Sequence, residues 1–87
     1  MIVSELKVGE LYVQPWNRKH KLIWFEPDNF KIHIVGKLQP TQPFVLLEFL
    51  NDHTFWTKIL THDGIVGWVE WDIEQFIKED SFTEARA

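Results

Sequence analysis

The side chains that could carry out acid–base or metal chemistry in this 87-residue sequence are four histidines and thirteen acidic residues. Their spacing matches neither use, because no His-x-x-x-His, Gly-x-Ser-x-Gly or phosphate-loop pattern occurs. His53 and His62 bound one predicted strand, which would hold them roughly 25–30 Å apart. The absence of cysteine also excludes thiolate chemistry and disulfides. We therefore expect no catalytic site, no metal and no cofactor.

Aromatic side chains are the stronger candidates, because they make up 15% of the chain. Trp56, Trp68 and Trp71 lie around one Asp-Gly turn, and such rings either form the core of a small domain or offer a binding surface. On one strand Trp71 shares a face with Val69, and Trp68 shares the other face with Glu70. We expect Trp56 to be half-buried and one of Trp68 and Trp71 to be exposed.

Trp16 lies outside any predicted strand. It follows Pro15 and precedes the basic stretch Arg18-Lys19-His20-Lys21. A tryptophan in such a loop either anchors the loop against the domain or forms the edge of a binding site. The sequence leaves both interpretations open.

The charge balance limits the classes of partner. Thirteen acids against nine bases give a net charge of −4, whereas binding to phosphate backbones needs clustered Lys and Arg. Nucleic-acid binding is therefore the weaker alternative. The first ten residues, MIVSELKVGE, show no secretory signal, and the longest uncharged run, Leu38 to Leu47, is too short to cross a bilayer. We expect a cytoplasmic protein with no membrane contact.

The elements that would position these residues are short strands, and turn residues separate them. The predicted strands are Glu10–Gln14, Lys21–Phe25, Phe30–Val35, Phe44–Leu50, Phe55–Thr61 and Ile65–Trp71. Glu26-Pro27-Asp28-Asn29 and His62-Asp63-Gly64 predict two hairpin turns. Gly67, in the middle of a strand, predicts a bend or the close approach of another segment.

The predicted core follows from alternation along these strands. Glu48 predicts that Leu46 and Leu50 share its solvent-facing side of the strand, which leaves Val45, Leu47 and Phe49 for the core. The full expected core is Val45, Leu47, Phe49, Ile59, Val66 and Val69, joined by Val13 and Ile34.

Little helix is expected in this chain. Asp72 with Gln75 predicts one capped helical turn near the C-terminal end. Residues 80–87 are polar and lack a pattern, so we expect them to fray. The prediction is an all-β domain over residues 1–79, with a polar tail over 80–87.

The order of these pieces resembles the bacterial SH3-like family of small β-barrels. The matching pieces are LYVQ (Leu11–Gln14), VGKL (Val35–Leu38), FVLLEF (Phe44–Phe49), WTKIL (Trp56–Leu60) and GIVGWV (Gly64–Val69). The match spans roughly residues 9 to 77 and is strongest over Trp56–Val69. It implies an SH3-like barrel of five or six mostly antiparallel strands, with ligands docking on Tyr12, Phe55, Trp56 and Trp71.

Two hypotheses of function follow. The first is a non-catalytic module that binds an extended peptide or partner protein in an aromatic groove. The proposed groove residues are Tyr12, Trp16, Phe55, Trp56, Trp68 and Trp71, with the acids Glu70 and Asp72. In this hypothesis Trp16 and Trp71 are exposed neighbours, and Glu70, Asp72 and Glu74 face the Arg18-Lys19 end of the loop. The second is a structural or assembly subunit, virus-encoded in one version, which forms homo-oligomers through an exposed aromatic face.

Overall fold

The computed structural model describes residues 1–27, 33–50 and 55–85. These residues form one antiparallel sheet of seven strands, so the predicted all-β class is confirmed. The strands are β1 Leu11–Val13, β2 Lys21–Trp24, β3 Ile34–Leu38, β4 Phe44–Phe49, β5 Trp56–Thr61, β6 Val66–Glu70 and β7 Thr83–Glu84. Helix in the described ranges is limited to a 3-10 turn, Val3–Glu5, and one α-helical turn, α1 Glu74–Ile77.

The sheet is open. Its strand order is β3-β2-β6-β5-β4-β1-β7, so β3 and β7 form its two edges. These edges do not pair with each other within the described residues. The closure expected of an SH3-like barrel is therefore not formed by these strands, and there are seven of them rather than five or six.

The two predicted hairpins are present. The β5–β6 turn is closed by the N–H of Gly64, which donates to the carbonyl of Thr61 at 3.0 Å, and Gly64 has φ +89°, where glycine is favoured. The strands β2 and β3 pair from Lys21 opposite Leu38 to Trp24 opposite Ile34. Residues 28–32, with half of the predicted turn and the start of the predicted Phe30–Val35 strand, lie outside the described residues, as does His53.

The core covers one face of the sheet and is closed by the two ends of the described chain. Eleven buried apolar side chains form it: Val3, Leu6, Tyr12, Ile23, Leu38, Phe44, Leu46, Ile59, Val69, Trp71 and Phe82. Of the side chains expected there, Ile59 and Val69 are confirmed.

The predicted faces of β4 are wrong over its first half. Phe44 and Leu46 are fully buried, whereas Val45 and Leu47 are half-buried. The pairing steps from Leu46 opposite Ile59 directly to Glu48 opposite Lys58, so Leu47 is an extra residue in the ladder. Such a bulge reverses the alternation beyond it, which lets Phe49 pack against the core as expected.

Three further side chains expected in the core lie elsewhere. Val66 is 46% exposed and Ile34 is 53% exposed, and Val13 is half-buried. Val66 lies on the face of β6 opposite to Val69, and Ile34 pairs with Trp24 on that same outward side of the sheet. We call this side the outer face.

Gly67 lies where the β2–β3 hairpin crosses β6. A Cβ atom at this position would lie 2.5 Å from Cγ2 of Ile23 and 2.7 Å from the carbonyl oxygen of Trp24. Glycine is thus required for the hairpin to approach β6 this closely, as its position within a strand predicted.

The tail expected to fray from residue 80 instead contributes to the fold. Ser81 and Phe82 are fully buried, and β7 pairs with β1 through Tyr12 opposite Glu84. The backbone N–H of Phe82 also donates to the carbonyl of Met1 at 3.0 Å. A single phenylalanine among polar residues gives too little pattern to predict this docking.

Candidate functional site

The predicted aromatic groove is not formed, because three of its rings are buried. Tyr12 is 1% exposed, Trp56 3% and Trp71 1%. Tyr12 accepts the backbone N–H of Lys7 through its hydroxyl oxygen at 2.8 Å. Trp71 donates from Nε1 to Oγ1 of Thr57 at 2.7 Å. Tyr12 and Trp71 therefore have their polar atoms satisfied inside the protein, as expected for core aromatics.

Trp56 and Phe55 lie at a second place, near the start of β5. Trp56 is buried rather than half-buried, and Phe55 is 37% exposed with its ring centroid 4.4 Å from that of Phe76. Together with Val3 and Phe49 they line a small apolar pocket of about 170 Å³. These side chains do not adjoin Trp16 in a common groove.

Trp68 and Glu70 are half-buried on the outer face of β6. Trp68 is paired across the strands with Trp24, and Glu70 with Trp56. The predicted sharing of one face by Trp68 and Glu70 is confirmed. Because Trp71 belongs to the core, the prediction that Trp16 and Trp71 are exposed neighbours is wrong.

Trp16 is the most exposed aromatic of the predicted set. The N–H of Arg18 donates to the carbonyl of Pro15 at 3.1 Å, which forms a four-residue turn, the 15–18 turn. Trp16 lies within this turn and is 83% exposed, so it does not anchor the loop. The alternative interpretation, that Trp16 forms the edge of a binding site, stays a prediction.

A pocket of about 390 Å³ lies between two segments. One is the 15–18 turn with the residues that follow it as far as Lys21, and the other runs from Asp72 to Asp80. We call the space between them the charged pocket. Its basic lining residues are Arg18, Lys19, Lys21 and Lys78. Its acidic lining residues are Asp72, Glu74 and Asp80.

Ion pairs connect the two sides of the charged pocket. Nη1 of Arg18 lies 3.1 Å from Oε2 of Glu74, and Nζ of Lys21 lies 2.6 Å from Oδ2 of Asp72. The prediction that Glu74 faces the Arg18-Lys19 end of the loop is therefore confirmed, whereas Asp72 pairs with Lys21 at the other end of the basic stretch. Lys78 adds a second cation to Glu74, at 2.7 Å from Oε1. The hydrogen bond and charge of Lys78, with the charge of Arg18, lower the pKa of Glu74 below its usual range.

Gln14 lies in the lining of this pocket and is fully buried. Its Oε1 accepts a hydrogen bond from Nε2 of Gln75 at 2.9 Å, and the Oε1 of Gln75 accepts the backbone N–H of Asp72 at 3.0 Å. Gln75 thus reaches back to Asp72 as the predicted capped turn requires, while the Asp72 carboxylate pairs with Lys21 instead of capping. The Nε2 of Gln14 has no acceptor among the described residues.

Comparison with protein-family models, curated proteins and solved structures gives no match to this chain. The resemblance to SH3-like domains therefore stays a prediction from the sequence. Gln14 was not among the predicted site residues, because a glutamine at the end of a strand, between Val13 and Pro15, is typical of a solvent-facing position.

Within residues 1–27, 33–50 and 55–85, no three histidine, aspartate or glutamate side chains converge as metal ligands do.

The same ranges contain no helix that has both the length and the apolar character needed to cross a membrane.

Proposed function

We propose that this protein is a non-catalytic binding module that holds an extended peptide, or an extended segment of a partner protein, in the charged pocket. The observation that carries the proposal is the placement of Trp16. A large ring that is 83% exposed occupies the 15–18 turn, next in sequence to the pocket residues Asn17 and Arg18. Exposed tryptophans beside arginine are typical of the residues that dominate binding energy in interfaces.

The size and charge of the pocket support a peptide as the ligand. A volume of about 390 Å³ lies within the range of small-ligand sites, and it admits one or two side chains of an extended segment. Trp16 would add apolar contact at low entropy cost, because its side chain has only two rotatable bonds. The mixed charges would set the register of the segment and speed its encounter.

The SH3-like resemblance supports the same place. In that family ligands dock beside the long first loop, and the 15–18 turn begins the corresponding loop here. The buried rings Tyr12, Trp56 and Trp71 are not part of the proposed site. We assign the binding role to Trp16 with the pocket residues Arg18, Lys21 and Asp72.

The experiment is selection of binders from a random peptide display library, followed by affinity measurement with variants. Trp16→Ala should weaken the selected peptides at least tenfold while the free energy of unfolding changes by less than about 0.5 kcal/mol. Phe25→Ala, which removes another exposed ring that does not line the pocket, is the matched control and should leave affinity unchanged. Trp71→Ala should instead lose about 3–5 kcal/mol of stability. A library that yields no binder, or binders insensitive to Trp16→Ala, would overturn the proposal.

A second candidate function is self-association through the outer face. Ile34 and Val66 are each more than 45% exposed, and Ile34 lies beside the Trp24–Trp68 pair. The strand β3 is an edge of the sheet in the described residues, and edges of two identical chains can pair about a two-fold axis. Analytical ultracentrifugation at micromolar concentration separates the candidates. A dimer that Ile34→Lys dissociates favours the assembly subunit, and a monomer favours the module.

A further inference from the structure

We infer that the anchoring group of the ligand is a carboxylate, held at the floor of the charged pocket by Gln14, Arg18 and Lys21. The acidic residues at the pocket rim would accept a neighbouring positive charge of the same ligand. This inference rests on the binding function proposed above, and it adds the chemistry that the site selects.

The orientation of the Gln14 amide is fixed by its neighbours. The Oε1 of Gln75 is occupied by the backbone N–H of Asp72, so the Nε2 of Gln75 is the atom that faces Gln14. That nitrogen can only donate, so Gln14 must turn its oxygen towards it. The Nε2 of Gln14 is then left as a buried donor without an acceptor in the described residues. A ligand oxygen is the group that satisfies it.

Burial separates two cations from the other charges of the pocket. The side chains of Arg18 and Lys21 are 16% and 14% exposed, whereas those of their partners Glu74 and Asp72 are 44% and 72% exposed. The remaining charged lining residues, Lys19, Lys78 and Asp80, are exposed, so the rim carries both signs and the buried charges are positive. A ligand carboxylate that passes this mixed rim would find its strongest hydrogen-bond donors at the more buried Arg18 and Lys21.

An exchange of carboxylates explains how the ligand would bind without leaving a cation unpaired. Asp72 is mostly in water, so its release from Lys21 costs little, and a ligand carboxylate can take its place. One oxygen of that carboxylate would accept from Lys21 and the other from Gln14. Because basic lining residues outnumber acidic ones by one in a chain of net charge −4, the pocket is locally suited to an anion.

The test uses three blocked tripeptides that differ in one group. Acetyl-Gly-Glu-Gly-amide carries a side-chain carboxylate, acetyl-triglycine carries a terminal carboxylate, and acetyl-Gly-Gln-Gly-amide carries neither. Binding is followed in nitrogen-15 NMR spectra to about 10 mM peptide, above the millimolar dissociation constant expected for so small a ligand. The diagnostic signal is the side-chain amide of Gln14, which should move downfield with a carboxylate peptide and stay in place with the glutamine peptide.

Two variants and one control connect the signal to the floor. Lys21→Gln should weaken the carboxylate peptides about tenfold, as expected for a lost hydrogen bond to a charged group. Gln14→Met removes the amide at similar size and should weaken them as well, provided that its spectrum shows the wild-type fold. Lys37→Gln makes the same charge change at an exposed position outside the pocket and should have no effect.

The outcomes separate this inference from the proposed function. Binding of the glutamate peptide alone, or of acetyl-triglycine alone, supports the inference and identifies the source of the carboxylate as a side chain or a chain terminus. Equal pocket shifts with the glutamine peptide overturn the carboxylate inference and leave the binding module standing. The inference also fails if no tripeptide shifts the pocket while library peptides bind through Trp16. If the library yields nothing either, both proposals fall.

Discussion

At the scale of single residues, Glu74 shows how the cations of the charged pocket favour the ionised form of a carboxyl group in it. Lys78 and Arg18 both contact its carboxylate, and together they lower its pKa. The unfolded chain therefore binds a proton at Glu74 more readily than the folded protein does. The pairing contributes to stability above the usual glutamate pKa, and the contribution is lost as pH falls through the lowered value in the folded protein.

Substitution of the two cations should change this pKa unequally. Lys78→Gln should raise the pKa of Glu74 more than Arg18→Gln does, because Lys78 supplies both the largest hydrogen-bond contribution and the largest charge contribution. Carbon-13 NMR titration of the Glu74 carboxyl group measures both shifts. The carboxyl of Asp63, whose pKa is lowered mainly by a hydrogen bond from Thr61, is an internal control and should titrate as in the wild type. A larger effect of Arg18→Gln would contradict the assignment.

Residue type alone did not identify the candidate site. Trp16 and Trp71 are the same amino acid, yet one is 83% exposed and the other 1%. What distinguishes them is a partner distant in sequence, because Trp71 donates to Thr57 and packs its ring 4.9 Å from that of Phe82. The facing of Glu74 with the Arg18-Lys19 end of the loop was predicted, since it needs only charge and topology.

At the scale of elements, the strands and their turns were largely predictable, but the faces of β4 were not. Glu48 is exposed as its charge predicted, yet the buried residues that precede it are Phe44 and Leu46. One unpaired residue, Leu47, separates the two halves of β4. Alternation assumes an unbroken ladder, so a bulge inside an apolar run leaves no signal in residue types.

The crossing of the β2–β3 hairpin over β6 gives a prediction at this scale. Gly67→Ala should lower the free energy of unfolding by about 1–3 kcal/mol, because the added methyl group would overlap Ile23 and the backbone oxygen of Trp24. Denaturation in urea measures the change. The methyl group would also lie 2.9 Å from Cγ2 of Val35, which is 38% exposed. Gly67→Ala combined with Val35→Ala tests the cause, because the second change removes one of these three overlaps and should restore part of the stability. Wild-type stability in the single variant would contradict the close approach.

At the scale of the whole molecule, the segment after α1 completes the core. Phe82 contacts the rings of Phe44 and Trp71, with centroids 6.2 and 4.9 Å away. Phe82→Ala should cost about 3–5 kcal/mol, a large fraction of the stability of a domain this small. Thermal unfolding measures the loss, with the exposed Thr83→Ala as a control that should melt as the wild type does. If Phe82→Ala left the melting temperature unchanged, the segment would not be part of the core and would be the frayed tail expected from the sequence.

The position of β1 between β4 and β7 also bears on how fast this protein reaches its folded state. Tyr12 pairs with Phe44 on one side and with Glu84 on the other, so this side of the sheet joins segments from the start, centre and end of the described chain. Each pairing must first close a long loop, and the entropy of that closure is lost before any contact repays it. Refolding should therefore take milliseconds to seconds, in the range of small proteins dominated by non-local strand pairing, rather than microseconds.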